Sequence, residues 1–353
     1  MIGSILSFGR TERTASCLFA EGSGVGVLFL HIATLPDMAP SPQQPAVKLL
    51  ILDGHAYAYR AFHAIRSLSS PSGEPTNAIF GFVKTLQKLL TQVQPSHLVV
   101  VWDGGLAAER MELLPGYKAQ RPPMPASLEK QLDQIVVWLK ASGIASHCQE
   151  GVEADDWIAT LARQSAAAGA QVIIASSDKD FMQLVSPTIG LLNPNDKEER
   201  IWTAAEVRAK SGVEPGQIVD WLSLVGDSVD NIPGVAGVGA KTAARLLNQF
   251  GSCEEIWVRL SEVESNRLRA ALESSQEIVR RNQRMIRLRD DLAGDARLDG
   301  MGLGATDPRR LFELYTQWGF RSLASAAAGA MSSQGDLFGE GTGSSGGTPE
   351  FGK

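Results

Sequence analysis

The sequence predicts an α/β fold in which a central, mostly parallel sheet is flanked by helices and followed by an all-helical region. Apolar runs that end in an acidic residue recur as "VKLLILDG", "HLVVVWDG" and "QVIIASSD". Continuous apolar runs are typical of parallel strands that are covered on both faces. Helical patterns lie between the runs, and this alternation indicates an α/β sheet with helices on both faces. After about residue 204 the pattern becomes helical.

The predicted elements follow in chain order. After the strand at 47–54, the segment 76–93 predicts a helix, because its apolar residues fall on one stripe, namely Ile79, Phe82, Val83, Leu86, Leu89 and Leu90. The strand at 97–104 comes next. The segment 127–143 predicts a second helix, capped by Ser127 and ended near Gly143. The strand at 171–178 comes after it.

The chain divides into four predicted segments. Residues 1–46 are expected to be a poorly ordered extension with the true start at Met38; a secretion signal is the alternative, but no convincing cleavage site follows the short apolar stretch. Residues 47–203 are the predicted α/β domain and 204–325 the helical domain. Residues 326–353 are rich in Ala, Gly and Ser, and this composition predicts a flexible tail.

The composition is that of a soluble globular protein. Of the 353 residues, 44% are hydrophobic and 20% are charged, and the formal net charge is −6. This balance argues against a generally basic nucleic-acid binder but allows local basic patches. The three cysteines lack zinc-binding spacing, which favours a reduced, cytoplasmic compartment. No run is long enough to predict a membrane span.

Acidic residues collect where a sheet of this kind binds ligands. Each predicted strand ends in an aspartate, and ligands of open α/β sheets bind beyond the carboxyl ends of the strands. The stretch "GVEADD" begins a helix just before the third of these strands. The candidate metal ligands are Asp53, Asp103, Glu153, Asp155, Asp156, Asp178, Asp180, Asp227 and Asp230.

Ligation by carboxylates alone suits Mg²⁺ or Mn²⁺, which are hard ions that prefer oxygen. Two ions roughly 4 Å apart could offset the repulsion between the carboxylates and clamp the attacking and leaving oxygens of a phosphodiester. Each acidic cluster alone could have a purely structural role, because aspartates cap turns and acids in the first turn of a helix complement its dipole. Their coincidence at one edge favours a metal site.

A basic loop follows the second strand. The stretch "ERMELLPGYKAQRPPMP" carries Arg110, Tyr117, Lys118 and Arg121. It predicts a mobile cationic arch that holds phosphates and in which Tyr117 stacks on a base, with an ordinary solvated loop as the alternative.

A glycine-rich stretch, "GVAGVGAKTAARLL", predicts a helix–hairpin–helix phosphate clamp. Backbone N–H groups near a helix N-terminus bind phosphate, and here Gly237, Gly239 and Lys241 would line the turn. No strand precedes the stretch, so it does not fit a Rossmann loop. Arg60 and Lys84 are unremarkable as lone cations.

Together these residues resemble the 5′ nuclease domain of bacterial DNA polymerase I, which is related to flap endonucleases. The likeness covers about residues 47–325 and rests on "LILDGHAYAYRAFHAI", "GEPTNAIFGFVKTL", "WDGGLAAERMELLPGYKAQRPPMP", "GVEADD", "SSDKDFMQL" and "GDSVDNIPGVAGVGAKTA". It implies a PIN-like, saddle-shaped α/β domain with a helix–three-turn–helix module. One departure is Trp102, where phenylalanine is more usual; it is expected to pack as a core aromatic.

The resemblance also implies roles for residues. One divalent ion would be held mainly by Asp53, Asp103, Glu153, Asp155 or Asp156, and Asp178, and the other by Asp180, Asp227 and Asp230. Lys84 matches the catalytic lysine of the family, and Arg60, Arg110, Tyr117, Lys118 and Arg121 match its DNA-gripping arch, with Arg110 also expected to assist at the scissile phosphate. The hairpin at Gly237, Gly239 and Lys241 would seat duplex DNA, often with a K⁺ ion.

The activity that the resemblance implies is that of an Mg²⁺-dependent 5′→3′ exonuclease and flap endonuclease. Its substrates would be DNA with a 5′ flap, nick or free 5′ end, met during replication, repair and RNA primer removal. Nothing after residue 325 could form a polymerase, so the resemblance implies a separate polymerase or a fragment of a longer chain. The alternatives are a DNA-binding relative without nuclease activity and a small RNase of similar fold, which would lack the hairpin module.

A short motif lies near the end of the chain. In "SSQGDLFGEG", Gln334, Leu337 and Phe338 resemble the Gln-x-x-Leu-Phe peptide that docks bacterial proteins on the sliding clamp. A flexible tether would raise the local concentration of the chain at clamp-loaded DNA. Chance occurrence in a low-complexity tail is the alternative.

Overall fold

The central sheet has six strands, and the order of its strands places β1 in the middle. The computed structural model describes residues 47–294 and 296–336, without the side chains of 333–336. The strands are β1 (Lys48–Asp53), β2 (His97–Trp102), β3 (Ala145–Cys148), β4 (Gln171–Ala175), β5 (Ile189–Leu192) and β6 (Ile201–Trp202), in the order β3-β2-β1-β4-β5-β6. Only β6 is antiparallel to its neighbour. The predicted α/β fold class is confirmed.

Five helices belong to the first half of the chain. They are α1 (Gly54–Ala64), α2 (Asn77–Val93), α3 (Ala108–Leu113), α4 (Ala126–Ala141) and α5 (Ala154–Ala167), and a 3₁₀ helix spans Lys179–Leu184. The predicted stripe of α2 is buried except for Leu90, which is half-buried. Pro125, not Ser127, precedes α4 as its N-cap, and the Ser127 carbonyl instead accepts a hydrogen bond from Gln131 at 2.9 Å.

The second half of the described chain is mainly helical. Its helices are α6 (Ala204–Ser211), α7 (Ile218–Val225), α8 (Ala240–Phe250), α9 (Cys253–Val258), α10 (Asn266–Ser274), α11 (Gln276–Ile286), α12 (Pro308–Trp318) and α13 (Arg321–Asp336). Short 3₁₀ helices span Pro215–Gln217, Leu260–Glu262 and Leu298–Met301. A small antiparallel hairpin, β7 (Gly226–Asp227) and β8 (Ile232–Pro233), joins α7 to the glycine-rich turn.

Each face of the sheet has its own hydrophobic core, because successive residues of a strand point to opposite faces. Leu49 and Ile51 of β1 belong to the core shared with α5 and with α6–α11. Leu50 and Leu52 belong to the core shared with α1, α2 and α4, and there Trp102 stacks on Phe82 with ring centroids 5.9 Å apart. Trp102 therefore packs as the sequence predicted.

The end of the described chain differs from the prediction in two respects. Helices α12 and α13 pack with α1, α2 and α4 and not with α6–α11, so the predicted helical segment 204–325 contributes to both cores. Helix α13 continues past the predicted start of the tail at residue 326, and Ala324 and Ala327 are buried. An alanine-rich segment can bury one face of a helix, which composition alone did not reveal. No helix of the described residues is long and apolar enough to cross a membrane.

Candidate active site

Three aspartates follow neighbouring strands at the carboxyl edge of the sheet. Asp53 ends β1 and caps α1: its Oδ1 accepts from the Ala56 N–H at 3.0 Å, and its Oδ2 accepts from the Ser176 hydroxyl at 2.8 Å. Burial, with smaller contributions from Asp178 and Asp103, raises the pKa of Asp53 to about 6. The carboxylates are therefore close enough to repel one another.

Helix α5 brings further acids to this edge. Asp103 Oδ1 accepts from the Ala154 N–H at 3.3 Å, which ties the end of β2 to the first turn of α5. Burial, followed by Asp178 and Asp53, raises the pKa of Asp155 well above its ordinary value. No hydrogen bond from the described residues engages the Asp155 carboxylate, so its oxygens are available to a ligand.

A second group of carboxylates lies beside the first. Asp178 caps the 3₁₀ helix by accepting from the Asp180 N–H at 2.9 Å, and burial raises the pKa of both groups. The hairpin β7–β8 contributes Asp227 and Asp230, and both raise the pKa of Asp178 and of Asp180 further. The structure thus places all seven of these aspartates in two adjoining electrostatic groups.

The carboxylates do not converge into a finished set of ligands. Among the described residues, no group of three or more His, Cys, Asp or Glu side chains has the geometry of a metal site. Basic side chains occupy several of the oxygens instead. Lys179 pairs with Asp227 at 3.1 Å, and Arg121 pairs with Asp230 at 2.5 Å. These cations neutralise part of the charge that divalent ions would otherwise neutralise.

Glu153 is the centre of a buried polar cluster. Its Oε2 accepts from Arg110 at 3.0 Å, from the Tyr117 hydroxyl at 3.2 Å and from Lys118 at 3.0 Å, and its Oε1 accepts from the Ala107 N–H at 3.3 Å. Burial alone would raise the pKa of Glu153, but Lys118 and Arg110 outweigh it and lower that pKa. Glu153 is therefore an ionised counterion in this arrangement.

Asp156 was predicted to be a metal ligand, but in the structure it pairs with Arg110. Its two oxygens form a bidentate ion pair with Arg110 at 2.7 and 2.8 Å, and Oδ1 also accepts from the Arg289 N–H at 3.0 Å. Arg110 Nε donates to the Met285 carbonyl at 2.9 Å, so it joins α3, α5 and the end of α11. Both oxygens of Asp156 are engaged, which removes it from the proposed ligand set.

The predicted arch is also corrected. Arg110, Tyr117 and Lys118 are 5%, 4% and 7% exposed, so they do not form a solvent-facing cationic surface. The segment 114–122 lies against the hairpin β7–β8 instead: the Lys118 N–H donates to the Asp230 carbonyl at 3.1 Å, and Asn231 donates to the Gly116 carbonyl at 2.8 Å. Buried carboxylates attract these cations more strongly than solvent does, and the sequence did not show that pairing.

The remaining predicted residues are exposed. Lys84 is a solvent-facing residue of α2, and Arg60 donates to the Asn195 side chain. Gly237 has a φ of +78°, which favours glycine, and Gly239 is the N-cap of α8, with Lys241 exposed in the first turn. The turn is therefore accessible, and its role as a phosphate clamp stays a prediction.

Two family models cover most of the folded chain. The N-terminal resolvase-like domain of 5′-3′ exonucleases matches residues 48–212, and the C-terminal SAM fold of 5′-3′ exonucleases matches residues 213–309. The chain belongs to the 5′-3′ exonuclease family.

Relatives and solved structures agree with this membership. A 5′-3′ exonuclease from Aquifex aeolicus is 42% identical over 66% of this chain and 81% of its own length. DNA polymerase I from Bacillus caldotenax is 35% identical over 78% of this chain but only 32% of its own length, so the chain spans about a third of that relative. The T5 5′-exonuclease with bound divalent metal ions (zinc) superposes with a TM-score of 0.57 at 25% identity, covering 69% of this chain and 90% of the other. The catalytic core of Rad2 in complex with DNA substrate shares the fold, with a TM-score of 0.54 at 18% identity over 78% of this chain and 88% of the other.

Three residues of this 5′-3′ exonuclease family member were missed by sequence reasoning. His55 Nδ1 accepts from the Asp103 N–H at 3.0 Å, and Ser176 binds Asp53. Lys179 pairs with Asp227. Each is a neighbour in sequence of a predicted ligand, which is the only signal that could have singled them out.

The predicted clamp motif lies almost wholly outside the described residues. Gln334 is part of α13, although its side chain is not described, and Leu337 and Phe338 come after the last described residue. Sliding-clamp binding therefore stays a prediction.

Proposed function

We propose that the chain is a divalent-metal-dependent nuclease that hydrolyses phosphodiester bonds of DNA as a 5′→3′ exonuclease and 5′ flap endonuclease. The observation that carries the proposal is the group of buried and half-buried aspartates at the carboxyl edge of the sheet, namely Asp53, Asp155, Asp178 and Asp180, whose pKa values are raised by burial and by neighbouring carboxylates. A fold that buries mutually repelling carboxylates loses stability unless cations join them. Catalysis is the reason to retain them.

The donor set fits hard divalent cations. The oxygens are carboxylates without sulfur or a histidine cluster, which suits Mg²⁺ or Mn²⁺. Asp53, Asp103, Asp155 and Asp178 would hold one ion, and Asp180, Asp227 and Asp230 the other. When bound, such ions polarise a phosphoryl oxygen and lower the pKa of a bound water. Glu153 keeps Lys118 and the base of α3 in place beside this group.

The chain's own basic groups would position the DNA. The turn at Gly237 and Gly239, with Lys241, presents backbone N–H groups and a cation to duplex phosphates, and a K⁺ ion fits the same role. Arg60 extends from α1, which begins directly after Asp53, and Lys84 is exposed on the neighbouring helix α2, so both would meet the strand that is cut. We place the activity in DNA replication and repair, including RNA primer removal alongside a DNA polymerase.

The test is a cleavage assay on a 5′-labelled flap duplex, a nicked duplex and a blunt duplex. With Mg²⁺ we expect cuts at the flap junction and stepwise release of short products from the 5′ end at the nick. Excess EDTA should abolish both, and added Mg²⁺ should restore them. Metal-independent cleavage, or binding without any cleavage in Mg²⁺ or Mn²⁺, would contradict the proposal.

A further inference from the structure

A small cavity of mixed polar and apolar lining lies on the α1 and α2 side of the sheet, and Tyr57 in its wall is four residues after Asp53. It has a volume of about 150 Å³ and is lined by Tyr57, Arg60, Lys88, Gln92, Asn193 and Glu199 among others. That volume holds several waters or one phosphate group. The floor comes from α1 and α2, and the loop at 193–199, between β5 and β6, covers it.

The loop is held over the cavity by side chains of both helices. Arg60 of α1 donates to the Asn195 side chain, and Lys88 of α2 pairs with Glu199. Gln92 donates to the Glu199 carbonyl at 2.7 Å. These contacts fix the shape of the cavity from three sides.

One wall of the cavity carries a polar group that lacks a partner. Tyr57 is 2% exposed, and among the described residues nothing forms a hydrogen bond with its buried hydroxyl. A buried hydroxyl without a partner is costly, and such groups are usually satisfied by water or by a ligand. The hydroxyl therefore marks a position where an acceptor would bind.

The charges favour an anion as that acceptor. Two cations, Arg60 and Lys88, line the cavity against one carboxylate, Glu199, which is itself solvent-accessible and paired with Lys88. Arg60 contacts only a neutral amide through its side chain in the described structure. A tetrahedral oxyanion accepts from guanidinium, ammonium and hydroxyl donors together.

The position of the cavity identifies the source of the anion. Tyr57 lies one helical turn after Asp53, and Arg60 about another turn beyond. An anion bound there would belong to the same nucleic acid strand whose scissile phosphate lies at the carboxylates. We propose that this cavity binds a backbone phosphate of the cut strand through Tyr57, Arg60 and Lys88, next to the phosphate that is hydrolysed. This inference rests on the proposed function.

The test combines a neutralised phosphate with the removal of one hydroxyl. Flap duplexes each carry a single uncharged methylphosphonate at successive linkages of the cut strand, and binding is measured with Ca²⁺ in place of Mg²⁺. At one linkage the methylphosphonate should weaken wild-type binding about tenfold, and Tyr57→Phe should weaken binding of the native flap by about three- to tenfold. In Tyr57→Phe, the methylphosphonate at that same linkage should cost clearly less than about tenfold, because one of the three groups that bind the phosphate is already lost.

A matched control is available in Tyr315→Phe. Tyr315 is also buried, but its hydroxyl accepts from Trp138 at 2.8 Å, away from the cavity, so this variant should keep the full tenfold penalty. Tyr57→Phe removes a hydroxyl without a partner and is expected to fold. A methylphosphonate penalty that is unchanged in Tyr57→Phe at every linkage would overturn the proposal.

Two further measurements complete the test. One distinguishes binding of a strand phosphate from binding of free phosphate, and the other distinguishes an error in this proposed phosphate site from an error in the proposed function. Inorganic phosphate is added as a competitor at constant ionic strength. If Tyr57→Phe weakens the binding of inorganic phosphate but changes the methylphosphonate penalty at no linkage, the cavity binds free phosphate, and the assignment to a strand phosphate is overturned. Cleavage of the native flap with Mg²⁺ is measured in parallel. A chain that cleaves without Tyr57 coupling contradicts this site alone, whereas a chain that never cleaves contradicts the proposed function.

Discussion

The pKa of Asp53 reflects the electrostatic environment at the carboxyl edge of the sheet. Burial, with Asp178 and Asp103, raises its pKa from 3.8 to about 6. Because the pKa of Asp53 is higher in the folded than in the unfolded state, the group contributes to the free energy of unfolding at a pH below its unfolded pKa. That contribution is lost as the pH rises through about 6. Divalent cations act in the opposite direction, because they bind the ionised form.

The first prediction follows from the direction of this pH dependence. In EDTA, the stability advantage of Asp53→Asn over wild type should grow by about 1–3 kcal/mol between pH 5 and 8. Burial lowers the pKa of His55 and His147, which opposes the trend, but both proteins carry these histidines. Urea unfolding at several pH values measures the difference, with the exposed Asp133→Asn as control. A difference that does not change with pH would contradict the assignment.

Arg110 gives the second prediction at this scale. Its guanidinium is the counterion of two buried carboxylates, Glu153 and Asp156. Arg110→Ala should destabilise the protein by about 3–5 kcal/mol, because breaking a buried ion pair leaves uncompensated charge. Arg110→Lys should recover only part of this loss, since lysine cannot pair with Asp156 through two parallel bonds.

Chemical unfolding of both variants checks the role of Arg110. Wild-type stability of Arg110→Ala, accompanied by a loss confined to DNA binding, would show that Arg110 is a DNA contact after all. The exposed Arg309, whose one ion pair among the described residues is with Glu313 at 3.7 Å, provides the control substitution.

At the scale of elements, the segment 114–122 is the one whose position most affects the site. It carries Lys118 onto Glu153 and Arg121 onto Asp230, and it rests on the hairpin β7–β8. In this arrangement Arg121 shares the Asp230 carboxylate with a proposed metal ion. DNA binding that drew the segment away would free the oxygen of Asp230 that Arg121 occupies.

This competition can be measured without DNA. Arg121→Gln should increase the affinity for Mn²⁺ about two- to fivefold, because a partly exposed ion pair is worth no more than about 1 kcal/mol. Titration calorimetry of the DNA-free protein measures the change, with Arg309→Gln as control. Equal affinities in all three proteins would show that Arg121 does not compete for the site.

Helix α13 offers the next element prediction. Ala327 is buried against the α1, α2 and α4 core, whereas its neighbour Ala326 is exposed. Ala327→Asp should destabilise the protein by about 2 kcal/mol or more, since it buries a charge without a partner. Ala326→Asp should change the stability by no more than about 0.5 kcal/mol. If thermal unfolding shows equal effects, α13 is not packed as described.

At the scale of the whole molecule, the sequence predicted the elements that local periodicity determines. The apolar runs indicated the three strands β1, β2 and β4, and the stripe of α2 proved to be buried except for Leu90. The strands β3, β5 and β6 were not predicted. In β3 partly buried residues alternate with exposed ones, β5 has four residues and β6 has two. Strands this short depend on pairing with distant partners, which local periodicity cannot reveal.

The candidate site, like the fold, could be predicted only in part from local sequence. Acids at strand ends can be assigned to one edge, because parallel strands share a direction. Whether a given acid faces a metal or an internal cation depends on side chains far away in sequence, as with Asp156 and Arg110. The predicted exposure of the arch was wrong for the same reason, because Lys118 and Tyr117 are buried and bind Glu153, whereas contact of this segment with DNA stays a prediction.

The central claim is that the aspartates at the carboxyl edge hold the ions that cleave DNA, and Asp155 tests it most directly because its carboxylate has no hydrogen-bond partner among the described residues. The measurement is single-turnover cleavage of a 5′-labelled flap duplex with Mg²⁺ by wild type, Asp155→Asn and the exposed control Glu150→Gln. We predict that Asp155→Asn loses more than about a hundredfold in rate while its flap affinity stays within about twofold, and that Glu150→Gln matches wild type. Cleavage by Asp155→Asn at the wild-type rate would contradict the account.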